Sequence, residues 1–194
     1  MPVIVDSGTD YEAGPLRHYL RSTAAHNTVR IDGEEQSEIW GAFRVARRAR
    51  PRAVTLGEWS GGQLRFEGEH DGYRRLAGRP VHRRTVDVEI SDKSGTSWTI
   101  LDRISAFGSG PHQVESFIHL HPEVLLEQMA EREFRLCAPS DVMVTLRVMP
   151  AGSIEIVTGY YCPEFGKRLE SRTLVIRYVG SVPVELGYSL HRLK

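Results

Sequence analysis

The sequence carries no excess of charge of either sign, since 25 lysine and arginine residues balance 25 aspartate and glutamate residues. A chain with zero formal net charge has no long-range field that would draw nucleic acid or an anionic membrane surface toward it. An anionic partner must therefore be recognised by a local basic patch. Nucleic acid is not expected, because no aromatic side chains alternate with the arginines of the one dense basic stretch.

Cysteine and long apolar runs are also scarce. Cys137 and Cys162 are the only cysteines, too few for a disulfide scaffold, and their spacing fits no metal-binding motif. No apolar run approaches the roughly 20 residues that a membrane-spanning helix needs. The first residues lack the basic and apolar regions of an export signal. These absences predict a soluble chain with no membrane span and no disulfide framework.

The pattern that is present is the alternation of apolar and polar residues at period two, which is typical of β-strands with one buried face. Gly and Pro separate the strands at short intervals, which favours antiparallel sheets packed as a sandwich. Helices are predicted only at residues 14–20 and 122–128. We therefore predict an all-β, antiparallel β-sandwich that forms a single domain over residues 1–194. The predicted strands are 63–67, 85–90, 97–102, 114–119, 133–137, 142–148, 153–157 and 172–178.

Two segments near the start combine residue types that can bind metals or sugars. Asp6 lies in the sequence Val-Ile-Val-Asp-Ser-Gly-Thr, and His26 and Asn27 lie in Arg-Ser-Thr-Ala-Ala-His-Asn-Thr-Val. With the blocks that follow them, these segments resemble the C-terminal β-sandwich domain of the heparinase II/III-like polysaccharide lyases. The blocks are 6–11, 21–29, 32–38, 40–44, 70–73 and 81–84, with weaker similarity at 120–122 and 159–166.

The resemblance implies a function that is shared between two domains. Members of this family pair the sandwich with an upstream α/α toroid and cleave uronate-containing acidic polysaccharides by β-elimination in the cleft between them. The toroid is not in this sequence, so we expect the chain to be part of a longer protein and to be inactive alone. The family also implies a periplasmic or secreted location. Without the toroid, the face that it normally covers is expected to drive self-association.

The resemblance further implies a zinc ion held by Asp6, His26 and a histidine that lies outside this sequence. With two of the three ligands, the chain alone is expected to bind zinc weakly or not at all. Each residue also has a structural interpretation. Asp6 could form an Asx-turn with the backbone two residues on, and His26 could be a hydrogen-bonded side chain at the start of a strand. Asn27 could orient a substrate carboxylate or tie a loop to the sheet.

The basic strip, residues 43–52, supplies the candidate groups for an acidic sugar. β-Elimination requires neutralisation of the uronate carboxylate, a base, and an acid for the departing oxygen. Guanidinium groups match carboxylate oxygens well, so Arg44, Arg47 and Arg48 are predicted to face the polysaccharide. The alternative is that these charges, with Pro51, protect an edge strand from aggregation.

Aromatic and histidine side chains complete the candidate set. Trp40 and Tyr11 are predicted to lie near the cleft and to stack on sugar rings. His70 and His82 could reach an anionic sugar or simply end a solvated strand. The pair His119 and His121 is interpreted as surface decoration rather than a metal site. A non-catalytic carbohydrate-binding or structural module remains the competing hypothesis for the whole domain.

Overall fold

The structure is a computed structural model that describes residues 1–91, 95–108, 110–139 and 142–192. One α-helix, α1, and one 3-10 helix, Thr23–Ala25, precede a series of strands. α1 spans Pro15–Arg21, with proline at a first-turn position that needs no N–H donor, which confirms the helix predicted at 14–20. The strands are β1 Val29–Ile31, β2 Glu38–Ile39, β3 Val45–Ala46, β4 Pro51–Leu56, β5 Gln63–His70, β6 Val81–Ser91, β7 Gly95–Ser105, β8 Pro111–His119, β9 Leu125–Ala130, β10 Glu133–Cys137, β11 Met143–Val148, β12 Ser153–Tyr161, β13 Leu169–Ser181 and β14 Val184–Arg192.

Two antiparallel sheets and one small hairpin contain these strands. The first sheet has the order β1-β8-β13-β12, and the second has the order β4-β5-β6-β7-β14-β11-β10-β9. β2 and β3 pair as a separate hairpin beside them. The prediction of an all-β, antiparallel sandwich is therefore confirmed. No helix among the described residues is long and apolar enough to cross a membrane.

The core lies between the two sheets and is made of alternate side chains from both. Ile118 and Leu174 of the first sheet and Ile104 and Leu146 of the second are fully buried members of one apolar cluster. The predicted hairpin of 85–90 and 97–102 appears as β6 and β7, which pair from Val81 with Ser105 to Ser91 with Gly95. In β7, the buried residues Ile100, Asp102 and Ile104 occupy alternate positions on the core side, as the period-two pattern indicates.

The helix predicted at 122–128 is wrong. The chain makes a turn in which the Val124 N–H donates to the His121 carbonyl at 2.9 Å, and then continues as β9. β9 pairs with β10, for example Leu126 opposite Leu136. Backbone hydrogen bonds to an existing sheet outweigh the weak helix preference of this leucine- and glutamate-rich segment.

A buried ionic network lies between the two sheets. Asp102 of β7 is fully buried and accepts two hydrogen bonds from the Arg84 guanidinium, at 2.7 and 2.8 Å, and one from Ser116 of β8 at 3.1 Å. His82 Nε2 lies 2.7 Å from the same carboxylate. Burial of Asp102 would raise its pKa, but the charges of Arg84 and His82 hold that pKa far below its usual range. With 3% exposure, His82 is an interior residue, so both predictions of a solvent-facing role for it are wrong.

Candidate functional site

The turn between the 3-10 helix and β1 brings His26 against Asp6. His26 Nδ1 lies 2.7 Å from Asp6 Oδ2, and both side chains are partly open to solvent. The other carboxylate oxygen, Oδ1, accepts the Gly8 N–H at 3.2 Å. Asp6 therefore makes the Asx-turn expected of its sequence and also contacts His26, so its two interpretations coexist.

Each member of this pair stabilises the charged form of the other. The hydrogen bond to Asp6 raises the pKa of His26 above its usual value, against the effect of partial burial. Partial burial would raise the pKa of Asp6, but the hydrogen bond and charge of His26 hold it below its usual value. The pair is therefore biased toward imidazolium and carboxylate, and this leaves a positive group at the surface beside the Asp6 oxygen.

Asn27 and His119 hold the turn that carries His26. The Asn27 amide donates to the Val5 carbonyl at 2.8 Å, and its oxygen accepts the His119 N–H at 2.7 Å. The His119 ring is buried, with Nδ1 2.9 Å from Thr173 Oγ1, and burial lowers its pKa to about 4. His119 is therefore not the surface residue that the sequence interpretation made it. His121 is half-buried against the Tyr161 ring, at 5.2 Å between ring centres.

A cleft with a volume of about 560 Å³ opens in front of His26. His26, Arg21, Glu35 and Arg48 contribute the charged part of its lining, and residues of the β2–β3 hairpin contribute apolar side chains. Of the three arginines predicted to face the polysaccharide, Arg48 lies in this cleft. Arg47 is exposed and pairs with Glu38 at 3.2 Å, while Arg44 is exposed and lies outside the cleft lining.

The two predicted aromatic residues are on the surface rather than in the core. Trp40 is 71% exposed and Tyr11 is 60% exposed. The backbone N–H of Trp40 donates to the Arg44 carbonyl at 3.1 Å across the β2–β3 turn. The Arg21 guanidinium donates to the Gly41 carbonyl of the same turn, so α1 fixes the position of the segment that carries Trp40.

Two residues of the site were missed from the sequence. Glu35 lines the cleft, and its carboxylate accepts the N–H of Thr23 in the turn that precedes His26. Tyr19 of α1 is half-buried with its hydroxyl toward Ser7, and burial raises its pKa. Glu35 belongs to the block 32–38, and Tyr19 lies two residues before the block 21–29. Only the folded chain shows that Glu35 lines the His26 cleft and that Tyr19 meets Ser7.

The metal-binding capacity of the described residues is limited to pairs of ligands. Among them, no group of three or more His, Cys, Asp or Glu side chains is placed to hold a metal ion. Asp6 and His26 provide one carboxylate oxygen and one imidazole nitrogen in contact. Cys137 and Cys162 are both free thiols.

The family described as Heparinase II/III-like, C-terminal matches residues 1–189. The chain belongs to this family. Its fold is shared by the crystal structure of the heparan sulfate lyase HepC from Pedobacter heparinus, with a TM-score of 0.72 and 14% sequence identity over 99% of this chain. A heparinase III gene product gives a TM-score of 0.74 at 18% identity over 99% of the chain.

A second heparinase III crystal structure gives a TM-score of 0.70 at 16% identity over 98% of the chain. Identities this low make the likeness one of fold. The heparinase-like chain spans 28% of the length of each of these three structures. No curated protein sequence matches it.

Proposed function

We propose that this domain forms one wall of a polysaccharide-binding cleft in a lyase that cleaves uronate-containing acidic polysaccharide by β-elimination. The observation that carries the proposal is the His26–Asp6 pair opening onto a cleft that Arg48 also lines, within a domain of a lyase family. The cleft combines cationic groups with apolar walls, which suits a sugar polymer that carries carboxylates.

The roles of the individual residues follow from their charge. Arg48 is exposed, so its guanidinium is available to neutralise the uronate carboxylate and thereby acidify the adjacent C5 proton. While no metal is bound, the raised pKa of His26 favours its cationic form, which would hold a second anionic or hydroxyl oxygen. Zinc would instead bind the neutral imidazole, so this role and a role as zinc ligand exclude each other. Glu35 binds the turn backbone instead. The base that removes the proton and the acid that protonates the departing oxygen are assigned to another domain of a longer protein, so the chain alone is proposed to be inactive.

A zinc ion is proposed as a structural metal of the longer protein, with Asp6 and His26 as two of its ligands. The donor set supports this, because imidazole nitrogen and carboxylate oxygen are common zinc ligands in mixed sites. Two donors leave a tetrahedral site incomplete, so the other ligands would come from outside the described residues. We therefore expect weak zinc binding by this chain, lost in Asp6→Asn, when zinc per chain is measured by equilibrium dialysis.

The binding proposal is tested with Arg48→Gln and Arg47→Gln, measured against a fluorescent uronate oligosaccharide at low and high salt. Arg48→Gln should weaken binding more than Arg47→Gln, because Arg48 lines the cleft and Arg47 already pairs with Glu38. The effect should shrink with salt, since screening reduces charge attraction. Arg103→Gln is the matched control, because Arg103 is an exposed arginine of β7 outside the cleft lining. Equal affinities for all three variants would contradict the proposal.

The chemical step is tested by the absorbance of the unsaturated uronate product. A longer natural protein that contains this domain should produce it from an acidic polysaccharide, while the 194-residue chain should not. If the longer protein binds the polymer without forming unsaturated ends, a carbohydrate-binding module becomes the better description.

A further inference from the structure

Three exposed aromatic side chains from three separate segments form a cluster, and one arginine of α1 contacts two of them. The aromatic cluster consists of Tyr11, Phe43 and Phe165, which are 60%, 63% and 64% exposed. The Arg17 guanidinium carbon lies 4.8 Å from the centre of the Tyr11 ring and 4.4 Å from that of Phe43. Phe165 meets Tyr11 edge to face, with ring centres 4.7 Å apart. Exposed aromatic rings grouped in this way are characteristic of a binding surface.

Arg17 fixes the positions of the Tyr11 and Phe43 rings before any ligand binds. It is only 9% exposed, and its Nε donates to the Ala42 carbonyl at 2.7 Å. Its Nη1 donates to the Asp10 carbonyl. One buried side chain thus ties the segment of Tyr11 to the turn of Phe43. Rings that are already held in place lose little conformational entropy on binding.

The surroundings of the cluster are acidic rather than basic. Asp10 and Glu12 line the shallow groove formed beside Tyr11 and Phe165. Asp10 Oδ1 accepts the Glu12 N–H at 2.9 Å. Carboxylate oxygens accept hydrogen bonds from hydroxyl groups and repel a uronate carboxylate. The groove therefore differs in charge from the His26 cleft, where Arg21 and Arg48 are present.

We propose that the aromatic cluster is a subsite for an uncharged pyranose ring of the polysaccharide. The apolar C–H face of such a ring stacks on aromatic side chains, and its hydroxyl groups donate to Asp10 or Glu12. Thr9 lines the His26 cleft, and Asp10 lines the aromatic groove. Because these two residues are consecutive in the chain, the two sites are neighbours. This inference rests on the proposed function, because it takes the same polymer to occupy both sites, with a uronate at one and a neutral sugar at the other.

The test uses the double variant Tyr11→Ala/Phe165→Ala and two oligosaccharides of equal length. One alternates uronate with neutral sugar units, and the other contains uronate only. The double variant should bind the alternating oligosaccharide about tenfold more weakly, with little dependence on salt, and the uronate-only oligosaccharide unchanged. Phe107→Ala is the matched control, since Phe107 is a 75% exposed phenylalanine outside the cluster, and should match the unmodified chain. Phe43→Ala is the second variant if Tyr11→Ala fails to fold.

The outcomes separate this inference from the proposed function. Equal affinities of the double variant and the unmodified chain for the alternating oligosaccharide would overturn the subsite and leave the His26 cleft standing. If the double variant lost affinity for the alternating oligosaccharide and Arg48→Gln did not, the result would support the subsite and contradict the proposed polysaccharide binding by the His26 cleft. A change in self-association without a change in sugar affinity would overturn the subsite and assign the aromatic cluster to a protein contact.

Discussion

At the scale of single residues, His26 and Asn27 are neighbours in sequence with different surroundings. The His26 ring faces the cleft, whereas both polar atoms of the Asn27 amide bind backbone groups of Val5 and His119. The sequence left a substrate-binding and a structural role open for Asn27. The two hydrogen bonds support the structural role and leave little of the amide free for a sugar.

Asn27→Ala should therefore lower the free energy of unfolding by about 1 to 3 kcal/mol, because two partly buried hydrogen bonds are lost. Gln128→Ala is the control, since its amide makes one long bond of 3.3 Å to Glu131 at the surface. Urea denaturation of both variants measures the difference. A substrate-binding role without a structural one would instead leave the stability unchanged and weaken polysaccharide binding.

His70 makes the free energy of unfolding depend on pH. Burial and the nearby charge of His82 lower the pKa of His70 to about 4, so the folded chain holds it neutral while the unfolded chain protonates it near pH 6.5. The contribution of neutral His70 to the free energy of unfolding is thus fully present above about pH 6.5. It is lost as the pH falls toward 4, by up to about 1.4 kcal/mol per pH unit. His119, with a pKa also near 4, adds to the same window.

His70→Gln should reduce this slope of unfolding free energy against pH, because one of the two imidazoles with a pKa of about 4 no longer titrates. His18→Gln is the control, since His18 is exposed on α1. Denaturation curves collected from pH 4 to 7 provide the comparison. If the His70 variant kept the slope of the unmodified chain, the neutral state of His70 would be contradicted.

At the scale of elements, the basic strip divides into two parts. Arg47 and Arg48 precede β4, while Pro51 and Arg52 lie in β4, an edge strand of the eight-stranded sheet. The edge-strand interpretation fits Pro51 and Arg52, whereas the polysaccharide-facing role of Arg48 stays a proposal. Arg52 is held by two bonds to Asp71, at 3.0 and 2.8 Å, and keeps a charge on the open edge.

Pro51→Val/Arg52→Val should increase aggregation, because it removes the charge from an edge strand and restores a free backbone donor. Arg103→Val is the matched control, since it places the same side chain on β7, whose two edges are both paired. Light scattering during incubation at elevated temperature measures the rate. Equal rates for the two variants would show that the edge needs no such protection.

At the scale of the whole molecule, Asp102 joins the two sheets through Ser116 of β8, while Arg84 and His82 of the neighbouring β6 bind it within its own sheet. Arg84 also donates to the Asn27 carbonyl, so the network extends to the turn beside His26. Removal of the Asp102 charge should affect the entire sandwich, because the carboxylate is fully buried and the buried His82 and half-buried Arg84 would lose their partner.

Asp102→Asn should lower the free energy of unfolding by about 3 to 5 kcal/mol, since it removes the charge of a fully buried carboxylate and leaves the half-buried Arg84 without its counter-charge. Asp87→Asn is the control. Asp87 makes a similar two-bond contact with Arg65, at 2.6 and 2.8 Å, but at the surface, where such pairs contribute about 0 to 1 kcal/mol. Thermal or urea unfolding distinguishes the two, and equal losses would contradict the role of burial.

Self-association is a further prediction for the whole molecule. An apolar groove of about 570 Å³ lies between the N-terminal residues and the core-facing side of β7, β14 and β11, where Trp98, Leu190 and Val142 are among its lining. We expect the chain to associate at high concentration through this groove and Val142→Glu to weaken the association. Val179→Glu, a change at an exposed residue of β13, should not. A single monomer peak for the unmodified chain in concentrated sizing chromatography would contradict the prediction.

The sequence by itself determined the local features of this protein. Period-two alternation specified β5 to β8 and β10 to β13, proline at the first turn specified α1, and Asp6 before Ser-Gly-Thr specified an Asx-turn. It did not specify β14, which lies between β7 and β11 in the large sheet. The motif around His26 also identified the family. Each of these depends on residues close together in the chain, so a pattern of residue types is enough to predict it.

The tertiary structure decided which distant residues meet. It placed Arg48 rather than Arg44 in the His26 cleft, buried His82 and His119, extended residues 125–130 as β9, and grouped Tyr11, Phe43 and Phe165 beside Arg17. Burial and partner choice depend on pairing between distant segments, as the isolated bridge between Gly8 and Cys162, 154 residues apart, illustrates. Local pattern carries no information on such pairings, and for this reason the charge states and contacts of the site follow from the fold alone.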